Sequence, residues 1–340
     1  MNSERSPSST RWVLRAIVLL LALAAPLRAQ ADLEIHFLDV GQGDATLVRE
    51  GGKAVLIDAG EYPSIGRKLR SLGVDSLSLA IASHNHVDHI GGFESVLSSF
   101  PVRYYMDNGF PATTRTQQRV LELVRDGDIT YLNATRRTVA LGDAVLQILP
   151  PPPVDDENQN DHSVVVIVER GTFRALLSGD SEKPEIRALL TEDSLPHVDV
   201  LKAAHHGSRN GLTPRWLTTL KPAVVVISVG QGNPYGHPDP IAVELYRAVA
   251  GRVFRTDQDG AVTIFVNKTG CYRVTTEAGG EVPPVAPETA DSMRNSARTR
   301  VRLSPRRACC KICRKGKACG NSCISRRYTC HQPQGCACNG

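Results

Sequence analysis

The sequence predicts an α/β protein with two β-sheets covered by helices on their outer faces, followed by a small cysteine-rich module. Short apolar segments rich in Val, Ile and Leu recur from Leu33 to Asn267, with segments of helical spacing interspersed among them. About ten such strands with helices between them call for two packed sheets. Eight of the nine cysteines fall between Cys309 and Cys338, outside that alternation.

The elements follow in chain order. LEIHFLDV, ATLVRE and KAVLIDAG read as three short strands joined by glycine turns, the last two forming a hairpin around Glu50 to Gly52. SLSLAIAS is a buried strand, and Arg115 to Arg125 carries Val120, Leu121 and Leu123 at helical spacing. AVLQILP, SVVVIVER, TFRALLSGD, VDVLKAA, AVVVISVG, RVFRTD and AVTIFVN are further strands. Helices are expected at Lys183 to Leu190, Pro214 to Leu220 and Pro240 to Ala250. Residues 32–277 therefore form one catalytic-sized domain, 278–307 a Pro-, Gly- and charge-rich linker unable to support a core, and 308–340 the cysteine-rich module.

Residues 1–31 stand apart. Arg5, Arg11 and Arg15 precede the ten-residue apolar run AIVLLLALAA, and PLRAQA then offers small residues for cleavage, the layout of a secretory signal peptide. That run is short of the roughly 20 apolar residues that span a bilayer, and no later segment is long and apolar enough. The mature chain is expected to be soluble, secreted or periplasmic, and free to form disulfides. Ser292 to Gly340 holds twelve of the 40 Lys and Arg and none of the 35 Asp and Glu, so the remainder has a formal charge of −7 against +5 overall. The basic character belongs to the tail.

Chemistry concentrates in SHNHVDHIGG, where His84, His86, Asp88 and His89 crowd into six residues directly after a buried strand. Imidazole nitrogen and carboxylate oxygen suit zinc or manganese. His84 and His86 can reach one ion while Asp88 and His89 face a second across a shared water, the arrangement of two-metal hydrolysis. Gly91 and Gly92 let the backbone fold closely against the loop.

Further candidates also lie at strand ends. Asp180, in LLSGD, is placed either to bridge two metals or to cap the helix that follows. In LKAAHHGS one of His205 and His206 is expected to complete the second metal, and the other to contact substrate or donate a proton; the sequence leaves open which does which. His237, in NPYGHP, is a candidate general acid or phosphate contact, and Asn160 or His162 a third ligand for the first metal. Asp39 and Asp58 end the first and third strands, where buried aspartates orient ligand histidines or loop amides. GQG is no nucleotide loop, since a strand rather than a helix follows it. The body of the chain offers neither a nucleophile-elbow serine nor a cysteine–histidine pair.

Together these residues resemble the metallo-β-lactamase superfamily, whose His-x-His-x-Asp-His loop is matched by His84, His86, Asp88 and His89. FLDVGQGDA, LIDAG, SHNHVDHIGG, SVVVIVERGTFRALLSGD, LKAAHHGS, NPYGHP and FRTDQDGAV, in order from about residue 33 to 277, are similar to the lactamase-like domain of ComEC-type DNA-uptake competence proteins. His162 stands where that branch is expected to carry another residue. The resemblance implies a four-layer αββα sandwich, two catalytic divalent ions, and hydrolysis of phosphodiesters in DNA. The same fold also hosts choline-phosphate esterases and lactonases.

The tail CCKICRKGKACGNSCISRRYTCHQPQGCAC is too small to bury a core unaided, so disulfides or a zinc site must staple it. Arg314, Lys315, Lys317, Arg326 and Arg327 interleave with its cysteines and form a patch for phosphate backbones or for an anionic cell envelope. The leading expectation is an exported metal-dependent phosphodiesterase acting on DNA, with Asp88, His205, His206 and His237 in the chemistry. The alternatives are a hydrolase of another ester, such as choline phosphate or a lactone, and a DNA- or envelope-binding protein with a vestigial metal site.

Overall fold

The computed structural model describes residues 33–111, 113–155, 157–192, 195–285, 311–315, 317–319, 322–327, 329 and 337–339. The expected signal peptide and residues 286–307 of the expected linker lie outside them. The chain divides into two compact units, Met1–Pro287 and Glu288–Gly340.

The first unit is built on two sheets. Leu33–Phe37 (β1), Thr46–Glu50 (β2), Lys53–Ile57 (β3), Leu79–Ile81 (β4), Tyr104–Asp107 (β5), Thr130–Asn133 (β6), Val262–Val266 (β14), Tyr272–Thr276 (β15) and Gly280–Val285 (β16) make one, in the order β16-β15-β14-β1-β2-β3-β4-β5-β6. Arg137–Leu141 (β7), Ala144–Leu149 (β8), Val165–Arg170 (β9), Phe173–Leu177 (β10), Val200–Lys202 (β11), Val224–Ile227 (β12) and Arg252–Arg255 (β13) make the other, in the order β13-β12-β11-β10-β9-β8-β7. Strands β3 to β6 are parallel, as are β10 to β13.

Side-chain alternation along these strands produces four layers. Leu79 and Ile81 point into the core between the sheets with Val166, Val168, Val224 and Val226. The intervening Ala80 faces helices Ile65–Ser71 (α1), Phe93–Ser99 (α3) and Arg115–Asp126 (α4), through Leu69, Phe93, Val96 and Val120. On the opposite outer face, Val165, Ile167, Val225 and Ile227 pack against Lys183–Glu192 (α5), Pro214–Leu220 (α6) and Pro240–Val249 (α7), through Ile186, Leu189, Trp216 and Tyr246. A buried ion pair joins the sheets: Arg170 on β9 meets Glu50 on β2 at 2.7 Å and also donates to the Val266 carbonyl on β14.

The expected helices at 115, 183, 214 and 240 appear within two residues of their forecast ends. Three readings change. Helices α1 and α3 were not foreseen; each is only seven residues long, too short for apolar spacing to declare a period. Strands β5 and β6, four residues each and bounded by no turn glycine on both sides, and strands β7 and β15, in which polar residues interrupt the apolar run, are likewise additional to the expected set. The linker expected from residue 278 begins later, because Gly280–Val285 pairs antiparallel with β15. Its two prolines signalled a linker, yet an edge strand tolerates residues that cannot donate to a ladder.

In the C-terminal unit, short strands Lys311–Cys313 and Ala337–Asn339 pair in parallel, and Lys317–Cys319 pairs antiparallel with Ser322–Ile324. Cys313 and Cys323 form a disulfide, and Cys319 is also disulfide-bonded, which favours the stapled over the zinc reading for these residues. Cys271, in the first unit, is an exposed free thiol. No helix among the described residues is long and apolar enough to cross a membrane.

Glu185, in the first turn of α5, is wholly buried, and burial pushes its carboxyl well above the usual range against hydrogen bonds from Ser181 and from the Ser163 amide. Stability from this group is therefore fully present below the ordinary carboxyl range and is lost as pH rises through the raised folded value. Urea denaturation across pH is expected to show Glu185→Gln gaining on the parent as pH rises from about 5 to 9. Parallel curves for the two proteins would exclude this role.

Candidate metal centre

Parallel strands deliver their following loops to one end of a sheet, and here loops from both sheets converge at that end. The loop after β4 carries His84, His86 and, on the single-turn helix Val87–Ile90 (α2), Asp88 and His89. Asp180 follows β10, His205 and His206 follow β11, and His237 lies between β12 and α7. Close approach of the backbones makes this possible. A β-carbon on Gly92 would lie 2.1 Å from the Ala59 carbonyl oxygen, and one on Gly43 would lie 2.2 Å from that of Asp88.

The buried Asp180 carboxylate occupies the centre. Its Oδ1 is 3.3 Å from His89 Nε2, and its Oδ2 is 3.4 Å from His206 Nε2 and 3.9 Å from His205 Nε2. Asp88 Oδ2 reaches His206 Nε2 at 3.2 Å, so donor atoms of Asp88, His89, Asp180 and His206 all lie within 4.8 Å of one another. His84 and His86 stand alongside, with His84 Nε2 3.0 Å from His86 Nδ1 and the His84 ring 4.2 Å from that of His89.

Neighbouring groups set the ring orientations. Asp58 accepts from the Ser83 amide at 2.7 Å and lies 2.9 Å from His89 Nδ1, leaving His89 Nε2 to face Asp180. His206 Nδ1 lies 2.9 Å from the Ser228 carbonyl, which requires a proton there and turns Nε2 toward Asp88 and Asp180. His205 is directed elsewhere: its Nδ1 is 2.9 Å from Glu182 Oε1, and its ring lies 5.2 Å from that of His237. Asp39 is half-buried and accepts from the Gly41 amide, so it serves its own turn rather than a ligand histidine. The His162 ring lies tilted against that of Phe110 at a centroid distance of 4.1 Å, while Asn160 lines the cavity and donates to Glu182. Asp180 does not cap α5, which begins at Lys183.

Electrostatics identify a place that demands positive charge. Burial opposes ionisation of Asp180 and Asp88, yet the facing His206 and His89 hold Asp180 well below the usual carboxylate range, and His89 with His206 holds Asp88 at about 2. Burial likewise opposes protonation of His89 and His206, but Asp180 and the other carboxylates raise both well above the usual imidazole value. His84 moves the other way, lowered by burial and by His89. His89 Nε2 and Asp180 Oδ1 are buried without a hydrogen-bond partner although they face each other. Oxygen and imidazole donors turned on one point with their hydrogen bonds unmade fit a divalent cation such as zinc or manganese.

Two charged residues were missed in the sequence. Asp44, in the β1–β2 loop, is buried beside His206 Nδ1 at 3.4 Å and His89 Nδ1 at 3.8 Å. Lys202, at the end of β11, is buried, pairs with Asp44, donates to the Gly179 carbonyl at 2.9 Å and sits 3.9 Å from Asp180. Asp44, Asp58 and His89 form a second cluster of donor atoms, but the Lys202 ammonium already neutralises it, whereas the Asp180 cluster opens on the cavity. A lysine inside the apolar run VDVLKAA was the available signal, since buried lysine needs a partner.

In the C-terminal unit Arg314, Lys315, Arg326 and Arg327 are exposed and Lys317 is half-buried. Four of the five cations forecast for an anionic partner thus face solvent.

Replacing Lys202 by Met strands a buried carboxylate and is expected to cost about 3–5 kcal/mol in chelator-treated protein, read by urea denaturation. Adding Asp44→Asn should recover a substantial part of the loss, because both charges are then gone. A cost within experimental error for Lys202→Met would contradict this account.

Residues 38–230 match the family model described as the metallo-beta-lactamase superfamily. The chain is 30% identical over 266 residues to ComE operon protein 3 of Bacillus subtilis, covering 71% of this chain and 34% of that protein. It is 27% identical over 270 residues to Competence protein ComA of Neisseria gonorrhoeae, covering 74% of this chain and 36% of that protein. It therefore spans about a third of the length of these relatives. Among solved structures it is similar to the metallo-beta-lactamase fold protein YhfI from Bacillus subtilis, with 13% identity, 72% of this chain and 100% of that chain covered, and a TM-score of 0.47. By its strand-end histidine loop, its two helix-covered sheets and this match over more than half its length, the chain belongs to the metallo-β-lactamase superfamily.

Proposed function

We propose that this chain is an exported, metal-dependent phosphodiesterase that cleaves DNA. The observation that carries the reading is Asp180, buried and centred among His89, His206 and Asp88 at the floor of a cavity of about 450 Å³. The kinship with competence proteins supports nucleic acid as the substrate, and the exposed cations of the C-terminal unit support an anionic partner. A tethered phosphate-binding tail raises the local concentration of DNA near an otherwise acidic domain. An anionic envelope is the other partner those cations suit.

In this reading His84, His86, Asp88, His89, Asp180 and His206 would hold two divalent ions, zinc or manganese. Such ions supply Lewis acidity, stabilising charge on the phosphoryl oxygens and lowering the pKa of a water. The chain's own groups do the rest. Asp88, partly buried and ionised, accepts a hydrogen bond from the attacking water and aligns it with phosphorus. His205, held through Nδ1 by Glu182, presents Nε2 to the cavity and passes its proton to the leaving oxygen. His237 and Asn160 contact the phosphodiester from the walls. Asp58 fixes His89, and Lys202 with Asp44 sets the depth of the negative potential beneath the ligands.

Purified mature protein with manganese or zinc is expected to fragment single-stranded DNA, and His86→Ala to lose activity by at least ~100-fold together with bound metal measured by elemental analysis. Equal cleavage and equal metal content in that variant would remove the proposal. A panel of small phosphodiesters, lactones and β-lactams, assayed alongside, separates this activity from hydrolysis of another ester.

A further inference from the structure

The walls of the cavity differ from its floor. Tyr235 lines it together with His86, Asp88, Asp180, His205, His206 and His237, yet its side chain is 67% exposed. The Tyr235 ring lies parallel to that of His237, at an interplanar angle of 18° and a centroid distance of 6.2 Å. Val87, beside the ligand Asp88, is 48% exposed on the same wall. Tyr235 and Val87 together give the charged cavity an apolar lip, the kind of exposed surface found along ligand grooves.

The platform is built rather than incidental. Asn233 organises the loop that carries it: its Oδ1 accepts from the amides of Tyr235 at 3.2 Å and His237 at 3.1 Å, and its Nδ2 donates to the carbonyls of Gly230 at 3.0 Å and His237 at 2.6 Å. The Gly230 amide in turn donates to the side chain of Gln42 at 3.2 Å, and a β-carbon on Gly230 would strike the Gln42 amide at 2.4 Å. This seats the loop on the turn that leads to Asp44. One asparagine therefore fixes the backbone that carries the tyrosine before any ligand arrives, which lowers the ordering cost of binding.

We infer that Tyr235, parallel to His237 at the mouth of the cavity, is a stacking platform for an unpaired nucleobase adjoining the phosphodiester, which makes the site selective for single-stranded nucleic acid. The inference rests on the phosphodiesterase reading and adds the form of the substrate. Aromatic faces at a phosphate site suit a chain in which flat bases alternate with phosphates, and a base offers its face only when it has left the duplex stack. Nothing in the platform reads base edges, so the preference is for strandedness rather than sequence.

The test is fluorescence anisotropy of the full chain with a labelled, phosphorothioate-linked single-stranded oligonucleotide that resists cleavage, compared with the same strand made abasic and with its duplex. The parent is expected to bind the base-bearing strand about tenfold tighter than the abasic one, and the abasic strand and the duplex should show no stacking gain. Tyr235→Ala should abolish most of that difference, and Tyr235→Trp should preserve it. The basic tail meets the same phosphates in both single strands and cancels from their ratio. Equal affinity of the parent for the two single strands, or undiminished discrimination in Tyr235→Ala, overturns the inference. Discrimination that persists while no metal supports cleavage would instead count against the phosphodiesterase reading alone.

Discussion

Three carboxylates, Asp44, Asp58 and Asp180, are buried together where the two sheets meet, each with 2% of its surface exposed, and the rest of the site depends on what neutralises them. Each such burial costs several kcal/mol unless opposite charge and hydrogen bonds are supplied at short range. Lys202 answers Asp44, the Ser83 amide and hydroxyl with His89 answer Asp58, and His89 with His206 answers Asp180. The first two meet a cation or hydrogen-bond donors within the fold. The third is satisfied only if the imidazoles carry protons, which places its demand for positive charge on the cavity side.

Strained backbone maintains this division of labour. His205 and His206 are consecutive non-glycine residues with φ of 49° and 53°, and Asp58 has φ of 57°. Such conformations cost of order 1–3 kcal/mol each and persist where surrounding contacts over-determine them. The His205 amide donates to the Gly179 carbonyl at 3.2 Å, and the Asp58 amide donates to the Ile81 carbonyl at 2.8 Å. The turn sends two adjacent side chains apart: His206 goes down to Asp180 and Asp88, His205 across to Glu182 and His237. A regular helix or strand would not place neighbours in those two environments.

Much of the fold was legible because burial writes a period into sequence. The continuous runs at 164–168 and 223–227 are buried on both faces in the structure, as helix-covered strands must be. The seven-residue helices and four-residue strands were not legible, since such lengths carry too few apolar positions to reveal a period. In the site, clustered histidines announced themselves by local density. Asp44 did not, because an aspartate after a glycine turn is ordinary, and its importance comes from Lys202, which is 158 positions away in the chain. Asn160 and His162 were alternatives for one place in the sequence; in the structure Asn160 lines the cavity, while the His162 ring lies tilted against Phe110.

The sequence by itself determined the layered α/β class, the histidine loop at a strand end, the acidic body and basic tail, and which residue types were available to bind a cation. These depend on local composition and spacing, which a linear chain displays directly. Only the tertiary structure decided that Asp180 is central rather than a helix cap, that His206 rather than His205 joins it, and that Lys202 closes the inner cluster. Those outcomes turn on side-chain directions and on separations of a few ångströms between loops brought together by two sheets, and no one-dimensional pattern encodes such distances.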